Sequence, residues 1–267
     1  MSAIPPRVTP VGRPNRMKRM IEAGEVPLGV LLSAPSPRVV EMCALAGADF
    51  IIADTEHHPF DWDSLENIVR ACEATGITPG VRTMGLDGPT ICRLLDIGYQ
   101  YLTVPNVETG AQAQALVDAA FYPPMGKRGV DLTRFSGFGL GMSARDYLPI
   151  ANDEVLIGLS IESVTGLENV EAIAALPAIR MMGVGPTDLS TSMGLAGDHH
   201  HPDVLAAAEK IHAIGLKHGK IFGGTPLSQD EIPALIEGGA QYISMSLSRI
   251  IGAQIRGLAG AIRAATG

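Results

Sequence analysis

The chain has 267 residues, enough for one large α/β unit or two small domains. Its hydrophobic share is 46% while aromatics make up only 4%, so the core must be built from Ala, Val, Ile, Leu and Met, which suits parallel strands covered by helices. A formal charge of −8 with scattered Lys and Arg argues against nucleic acid as a partner, and no apolar run approaches the roughly 20 residues of a membrane span.

The N-terminus carries Pro5, Pro6, Pro10 and Pro14 among arginines. With no apolar stretch beside them, they do not read as a secretory signal, and the expected compartment is the cytoplasm. Residues 1–25 are expected to form an extension and a first helix. After them, short apolar runs alternate with amphipathic stretches. The expected strands are Leu28–Ser33, Asp49–Asp54, Thr78–Arg82, Tyr101–Pro105, Val155–Glu162, Arg180–Gly185, Lys220–Gly224 and Tyr242–Met245. Between them the apolar residues recur three or four apart, as in Trp62–Leu65–Ile68–Val69. Pro37, Pro89, Pro202 and Pro233 stand near helix starts, where a missing N–H costs little. The segment Phe121–Ile150, rich in Gly and Pro, is a long excursion of the kind that is usually functional. Residues 246–267 read as a long helix that either seals the fold or packs on a neighbouring subunit. Eight strands alternating with helices predict a single (β/α)8 TIM barrel domain over residues 1–267.

Cys43, Cys72 and Cys92 are odd in number and lack CxxC spacing, so reduced thiols are expected. In such barrels the chemistry sits at the C-terminal strand ends and the loops that follow. That rule places Asp54 and His57 after the second strand, Arg82 after the third, Glu162 after the fifth and Asp188 after the sixth. Each residue alone has an ordinary explanation: Asp188 as a helix N-cap, His57 as a solvated histidine, Arg82 as the ion-pair partner of Glu56. Their joint placement on one rim weakens those explanations. Glu162 and Asp188 are hard oxygen donors on neighbouring strands, which suits Mg²⁺ or Mn²⁺ better than Co²⁺ or Zn²⁺. Adjacent histidines cannot easily share an ion, so His199-His200-His201 reads as a surface loop. A Schiff-base lysine is disfavoured: Lys220 starts its strand, and Lys18, Lys127, Lys210 and Lys217 lie in helices or loops.

At these residues the chain resembles the HpcH/HpaI family of class II pyruvate aldolases. The matching segments run from Asp54-Thr-Glu-His57 through Gly80-Val-Arg82, Leu94-Leu-Asp-Ile-Gly98, Tyr122-Pro-Pro-Met-Gly-Lys-Arg-Gly129 and Ile161-Glu-Ser163 to Gly185-Pro-Thr-Asp-Leu-Ser190. The resemblance implies a metal-dependent lyase that reversibly cleaves 4-hydroxy-2-oxo acids to an aldehyde and pyruvate, or a related acid such as hydroxypyruvate. It makes His57 the general base and Asp96 the carboxylate associated with it. Arg82 would hold the substrate carbonyl oxygen, Glu162 and Asp188 would ligate the metal, and backbone around Thr187 would meet the substrate carboxylate. It further implies a homo-oligomer, a hexamer built as a trimer of dimers, with the last helix or the Lys127–Arg128 loop at a subunit contact. By residue type alone, Asp96 reads only as a helix-end residue before Gly98.

One departure bears on the substrate. Relatives commonly carry Gln two residues before the metal-binding Glu, and this chain has Ser160, a shorter side chain with a hydroxyl in place of an amide. It would widen the substrate pocket, admit a water, or fit a larger or more polar donor. Two other outcomes remain open on the same residues: an enolate-forming CoA-ester lyase like the citrate lyase β family, and a barrel that binds a 2-oxo acid without turnover. The first lacks a basic surface for the nucleotide; the second has only Ser160 in its favour.

Overall fold

A computed structural model describes residues 13–266 of the chain, so the prolines expected in the extension at positions 5, 6 and 10 lie outside the described residues. The elements run α1 (Arg16–Glu22), β1 (Leu28–Leu32), α2 (Pro37–Leu45), β2 (Phe50–Asp54), α3 (Trp62–Thr75), β3 (Thr78–Arg82), α4 (Gly88–Ile97), β4 (Tyr101–Val104), α5 (Gly110–Ala120), α6 (Ala144–Glu154), β5 (Leu156–Ile161), α7 (Val164–Glu168), α8 (Val170–Ala174), β6 (Met181–Val184), α9 (Pro186–Ser192), α10 (Pro202–Lys217), α11 (Ile232–Glu237), β7 (Ile243–Ser246) and α12 (Leu247–Thr266). The strands form one parallel sheet in the order β6-β5-β4-β3-β2-β1-β7.

The helix starts follow from sequence chemistry. Ser36, Asp61, Asp87 and Thr109 each accept a backbone N–H of the first turn of the following helix, satisfying donors that have no partner within the helix. Pro37, Pro89, Pro202 and Pro233 all fall in first turns. His201 caps α10 by accepting the Asp203 N–H at 3.2 Å, so the histidine run leads into a helix.

One expected strand is corrected. Lys220–Gly224 is not a strand; only isolated bridges remain, Met181 with Ile221 and Gly224 with Ile243. The Ile221 N–H donates to the Arg180 carbonyl at 2.9 Å, and the Gly224 N–H donates to the Tyr242 carbonyl at 2.8 Å. The Gly223–Gly224 pair explains the break, because glycine has low strand propensity and packs nothing. At Gly223 the space a Cβ would need is filled by the Tyr242 ring.

The sheet buries both faces. Outside, Leu65, Val69, Leu94, Leu116, Ile173 and Ile211 pack helices onto the strands. Inside, Phe50, Tyr101, Leu156, Met181 and Ile221 pack with Met17 of α1. Large rings are accommodated by neighbouring glycines: a Cβ at Gly29 would strike Phe50, and one at Gly80 or Gly158 would press on Tyr101. Few aromatics therefore fill the interior, because each stands beside a residue without a side chain.

The excursion after α5 is structured. It holds a short 3-10 turn at Arg134–Gly139 and leads into α6, with a satellite core of Tyr122, Phe135, Tyr147 and Ala151. The cysteines are free, with Cys72 buried. By contrast α12 buries none of its residues, and Ile251, Ile255, Leu258 and Ile262 along it are exposed. Among the described residues no helix is long and apolar enough to cross a membrane.

Candidate active site

Residues at the ends of β2, β3 and β5 meet around Arg82, and Asp188 after β6 lies near Glu162. β2 and β3 pair with Asp54 opposite Arg82, so the two side chains leave the sheet side by side. Asp54 accepts from Nε at 2.8 Å through Oδ1 and from Nη2 at 2.7 Å through Oδ2. Glu56 Oε2 lies 3.3 Å from the same Nε. Burial pushes the Asp54 carboxyl upward in pKa. The hydrogen bonds and charge of Arg82, aided by the His57 backbone N–H and by His58, outweigh it and hold the group below its ordinary value. Burial also lowers the Arg82 pKa, but Asp54, Glu56 and Glu162 raise it further, so the guanidinium stays charged. Nη1 has no partner among the described residues.

Glu162 follows β5 directly and is half-buried. Its Oε2 accepts the Asn106 N–H at 3.0 Å. That contact depends on Asn106 adopting a left-handed φ of 56°, a region asparagine tolerates better than most residues. Burial raises the Glu162 pKa, and the negative charges of Glu56 and Asp188 raise it again; the Asn106 N–H and Arg82 only partly oppose this. A carboxylate crowded by burial and by other carboxylates is a position that a cation relieves. Asp188 stands exposed in the first turn of α9, beside Thr187. Among the described residues no group of three or more His, Cys, Asp or Glu gathers as a metal cluster. Glu162, crowded by burial and by Asp188, and Asp188 itself are the oxygen donors that would hold a divalent ion there, with water and substrate oxygens completing its shell.

Gly185 makes this geometry possible. A Cβ there would lie 2.6 Å from Glu162 Cγ and 2.7 Å from Oε1, so the carboxylate occupies the space a side chain would need. Ser160, two residues before Glu162, shares its sheet face and pairs in register with Gly183.

His57 is mostly exposed, with its Nε2 3.6 Å from Glu56 Oε2, and the neighbouring His58 Nε2 is 3.4 Å from Asp54 Oδ2. Asp96 does not join them. Its carboxylate pairs with Arg128, a side chain only 1% exposed, and its backbone carbonyl accepts the Thr133 hydroxyl at 2.9 Å. Arg128 also stacks over the Tyr122 ring at 4.6 Å. Within the chain, then, Asp54, His57, Arg82, Glu162 and Asp188 belong to one rim and Asp96 to another surface.

Several contributors escaped the sequence reading. The grip of Asp54 on Arg82 was hidden because Glu56 lies equally near in sequence. Asn106 and Gly185 act through a backbone N–H and a missing Cβ, and the one available signal was asparagine after Pro105. Neither buried lysine reaches the rim: Lys220 Nζ donates to the carbonyls of Leu176 and Ile179 at 2.7 and 2.5 Å, and Lys18 pairs with Asp153. A cavity of about 660 Å³ opens elsewhere, lined by Phe121, Met125, Arg145, Asp153 and Arg180. It touches none of the rim residues.

The family profile of HpcH/HpaI aldolase/citrate lyase matches residues 28–249. A hydroxypyruvate/pyruvate aldolase of Cupriavidus necator is 40% identical over 212 residues, covering 78% of this chain and 77% of that protein. A 4-hydroxy-2-oxovalerate aldolase of Novosphingobium aromaticivorans is 38% identical over 239 residues, 88% of each chain. The crystal structure of an HpcH/HpaI aldolase from Desulfitobacterium hafniense superposes with a TM-score of 0.84 at 27% identity, covering 91% of this chain and 95% of that one. With the profile spanning most of its length and relatives of up to 40% identity covering most of both chains, the chain belongs to the HpcH/HpaI aldolase/citrate lyase family.

Proposed function

We propose that this protein is a metal-dependent aldolase, reversibly cleaving 4-hydroxy-2-oxo acids to an aldehyde and pyruvate or hydroxypyruvate. The observation that carries this reading is the fixed Arg82 guanidinium, held by a buried carboxylate beside Glu162 at the strand ends. We read the seven-stranded sheet with its bridged 221–224 segment as one closed (β/α)8 barrel domain, whose rim is then a single site.

Glu162 and Asp188 would hold a divalent ion, Mg²⁺ or Mn²⁺ in the first instance, which when bound would supply Lewis-acid polarisation of the 2-oxo group. The chain does the rest. The substrate carboxylate meets backbone N–H groups at the start of α9, around Thr187. Arg82 presents Nη1 to the 2-oxo oxygen, where negative charge develops as the C3–C4 bond breaks. Asp54 keeps the guanidinium plane from rotating, so the donor is in place before the charge appears. His57 takes the proton of the 4-hydroxyl. The bond electrons pass to C3 and delocalise onto the 2-oxo oxygen as an enolate, the aldehyde leaves, and a proton delivered to C3 completes the 2-oxo acid. Asp96, the carboxylate proposed to assist His57, lies away from it in this chain. The exposed apolar residues of α12 are the proposed contact with further copies in a homo-oligomer, a trimer of dimers.

The test is a panel assay of pyruvate and hydroxypyruvate against several aldehydes, with EDTA and with added Mg²⁺, Mn²⁺ or Co²⁺. Metal-dependent carbon–carbon bond formation is expected. Equal turnover in EDTA would remove the metal from the reading, and no condensation with any pair would remove the aldolase.

A further inference from the structure

Between the floor of the site and its carboxylates lies one level with almost nothing in it. On β5 Leu156, Gly158 and Ser160 share a face, because alternate residues of a strand point the same way, as do Met181 and Gly183 on β6; just past the strand ends Glu162 and Gly185 meet above them. At the lower level, Gly158 pairs with Met181, and a Cβ at Gly158 would meet Met181 at 3.2 Å and Tyr101 at 3.3 Å. That level is full. At the upper level the Glu162 side chain occupies the space over Gly185. Four residues of strand separate these two levels, about 13 Å of rise.

The level between holds Ser160 opposite Gly183, a hydroxymethyl group facing a hydrogen. A Cβ at Gly183 would meet only Ser160 Oγ at 3.7 Å and the Leu159 carbonyl at 3.9 Å. Both residues keep accessible surface, unlike their neighbours Leu159 and Met182. The Ser160 hydroxyl has no hydrogen-bond partner among the described residues. A polar group thus borders an open recess directly beneath the carboxylate proposed to hold the metal.

We propose that Ser160 and Gly183 form a donor-selecting recess, favouring 2-oxo acids that carry a hydroxyl on C3 over the unsubstituted acid. The assignment rests on the aldolase reading. With the donor carboxylate at the start of α9 and its oxo group between Arg82 and Glu162, the C3 end extends down from the rim into this level. A C3 hydroxyl there meets Ser160 Oγ, and Gly183 gives it room.

The test uses the metal-loaded full chain, with pyruvate and hydroxypyruvate as donors. Exchange of the C3 hydrogens with deuterium is followed by NMR without aldehyde, and kcat/KM for addition to one common aldehyde is measured beside it. Gly183→Ala adds a methyl group in ordinary contact with its neighbours, and its φ is outside the left-handed region, so the variant is expected to fold. Its hydroxypyruvate-to-pyruvate ratio should fall at least tenfold in both measurements. Ser160→Ala removes the hydroxyl without adding bulk, and its ratio should fall roughly fivefold, the worth of one hydrogen bond. A ratio unchanged or raised in either variant overturns the recess. Wild-type protein that exchanges neither donor and condenses neither refutes the aldolase reading itself, and the recess with it.

Discussion

Asp54 grips Arg82 through both of its carboxylate oxygens, at 2.8 and 2.7 Å, while being almost wholly buried. The charge proposed to face the substrate is therefore aimed by a buried residue behind it. Asp54→Asn keeps the size but turns one oxygen into an amide that points its N–H groups at the guanidinium. Steady-state kinetics should show kcat lowered on the order of a hundredfold, the scale of loss expected from a small misplacement, with KM changing far less. A variant with unchanged kcat would leave Arg82 oriented by something else.

The same pair sets a pH dependence of stability. The Asp54 carboxyl is held below its ordinary 3.8 in the folded chain, so the unfolded chain takes up its proton first as pH falls. The ion pair's contribution is then fully present above the ordinary value and is lost as pH drops through the lower, folded one. Urea unfolding of wild type and Asp54→Asn should show a constant gap from pH 7 to about 5, narrowing below pH 4. A gap that stays constant to pH 2 contradicts the linkage.

Glu162→Ala and Asp188→Ala should abolish metal-dependent turnover while circular dichroism stays native, because both side chains end strands or begin a helix without filling the core. Calorimetric titration with Mn²⁺ should lose its binding isotherm in each. Full activity of either variant in the presence of EDTA is the outcome that removes the metal assignment.

Gly185→Ala reaches the same carboxylate from the opposite strand. The new Cβ would stand 2.6 Å from Glu162 Cγ, far inside van der Waals contact, so the side chain must turn away. Weaker Mn²⁺ binding by at least tenfold is expected, with the catalytic residues all still present. Unaltered affinity would show that Glu162 holds the ion from another rotamer.

Arg128 offers a prediction about stability. Its side chain is 1% exposed, is paired with Asp96 and stacks on Tyr122. Arg128→Ala leaves a carboxylate without its partner and opens space beside an aromatic ring. A loss of about 3 kcal/mol in chemical denaturation is expected. Arg128→Lys should recover little of it, since an ammonium cannot reproduce a stacked planar fork. Wild-type stability in the lysine variant would reduce the contact to simple charge pairing.

Much of the site was legible in the order of residues because it is written locally. An apolar run that ends in Arg82 or Asp54, followed by an amphipathic stretch, places that side chain at a strand end whatever lies beside it. The capping chemistry at Ser36, Asp61, Asp87 and Thr109 is local in the same way, involving residues within one turn. Lys220–Gly224 misled for a related reason: an apolar pair looks like a strand until the glycines that follow leave it only bridges.

The sequence by itself therefore determined which residues stand on the rim and how the helices begin, since alternation and capping act over a few neighbouring positions. Only the tertiary structure decided that Asp54 rather than Glu56 aims Arg82, that Asp96 turns to Arg128, that Glu162 fills the space over Gly185, and that Ser160 faces Gly183. Those choices depend on the register between strands distant in sequence and on the packing of a long excursion. No local period encodes either of them.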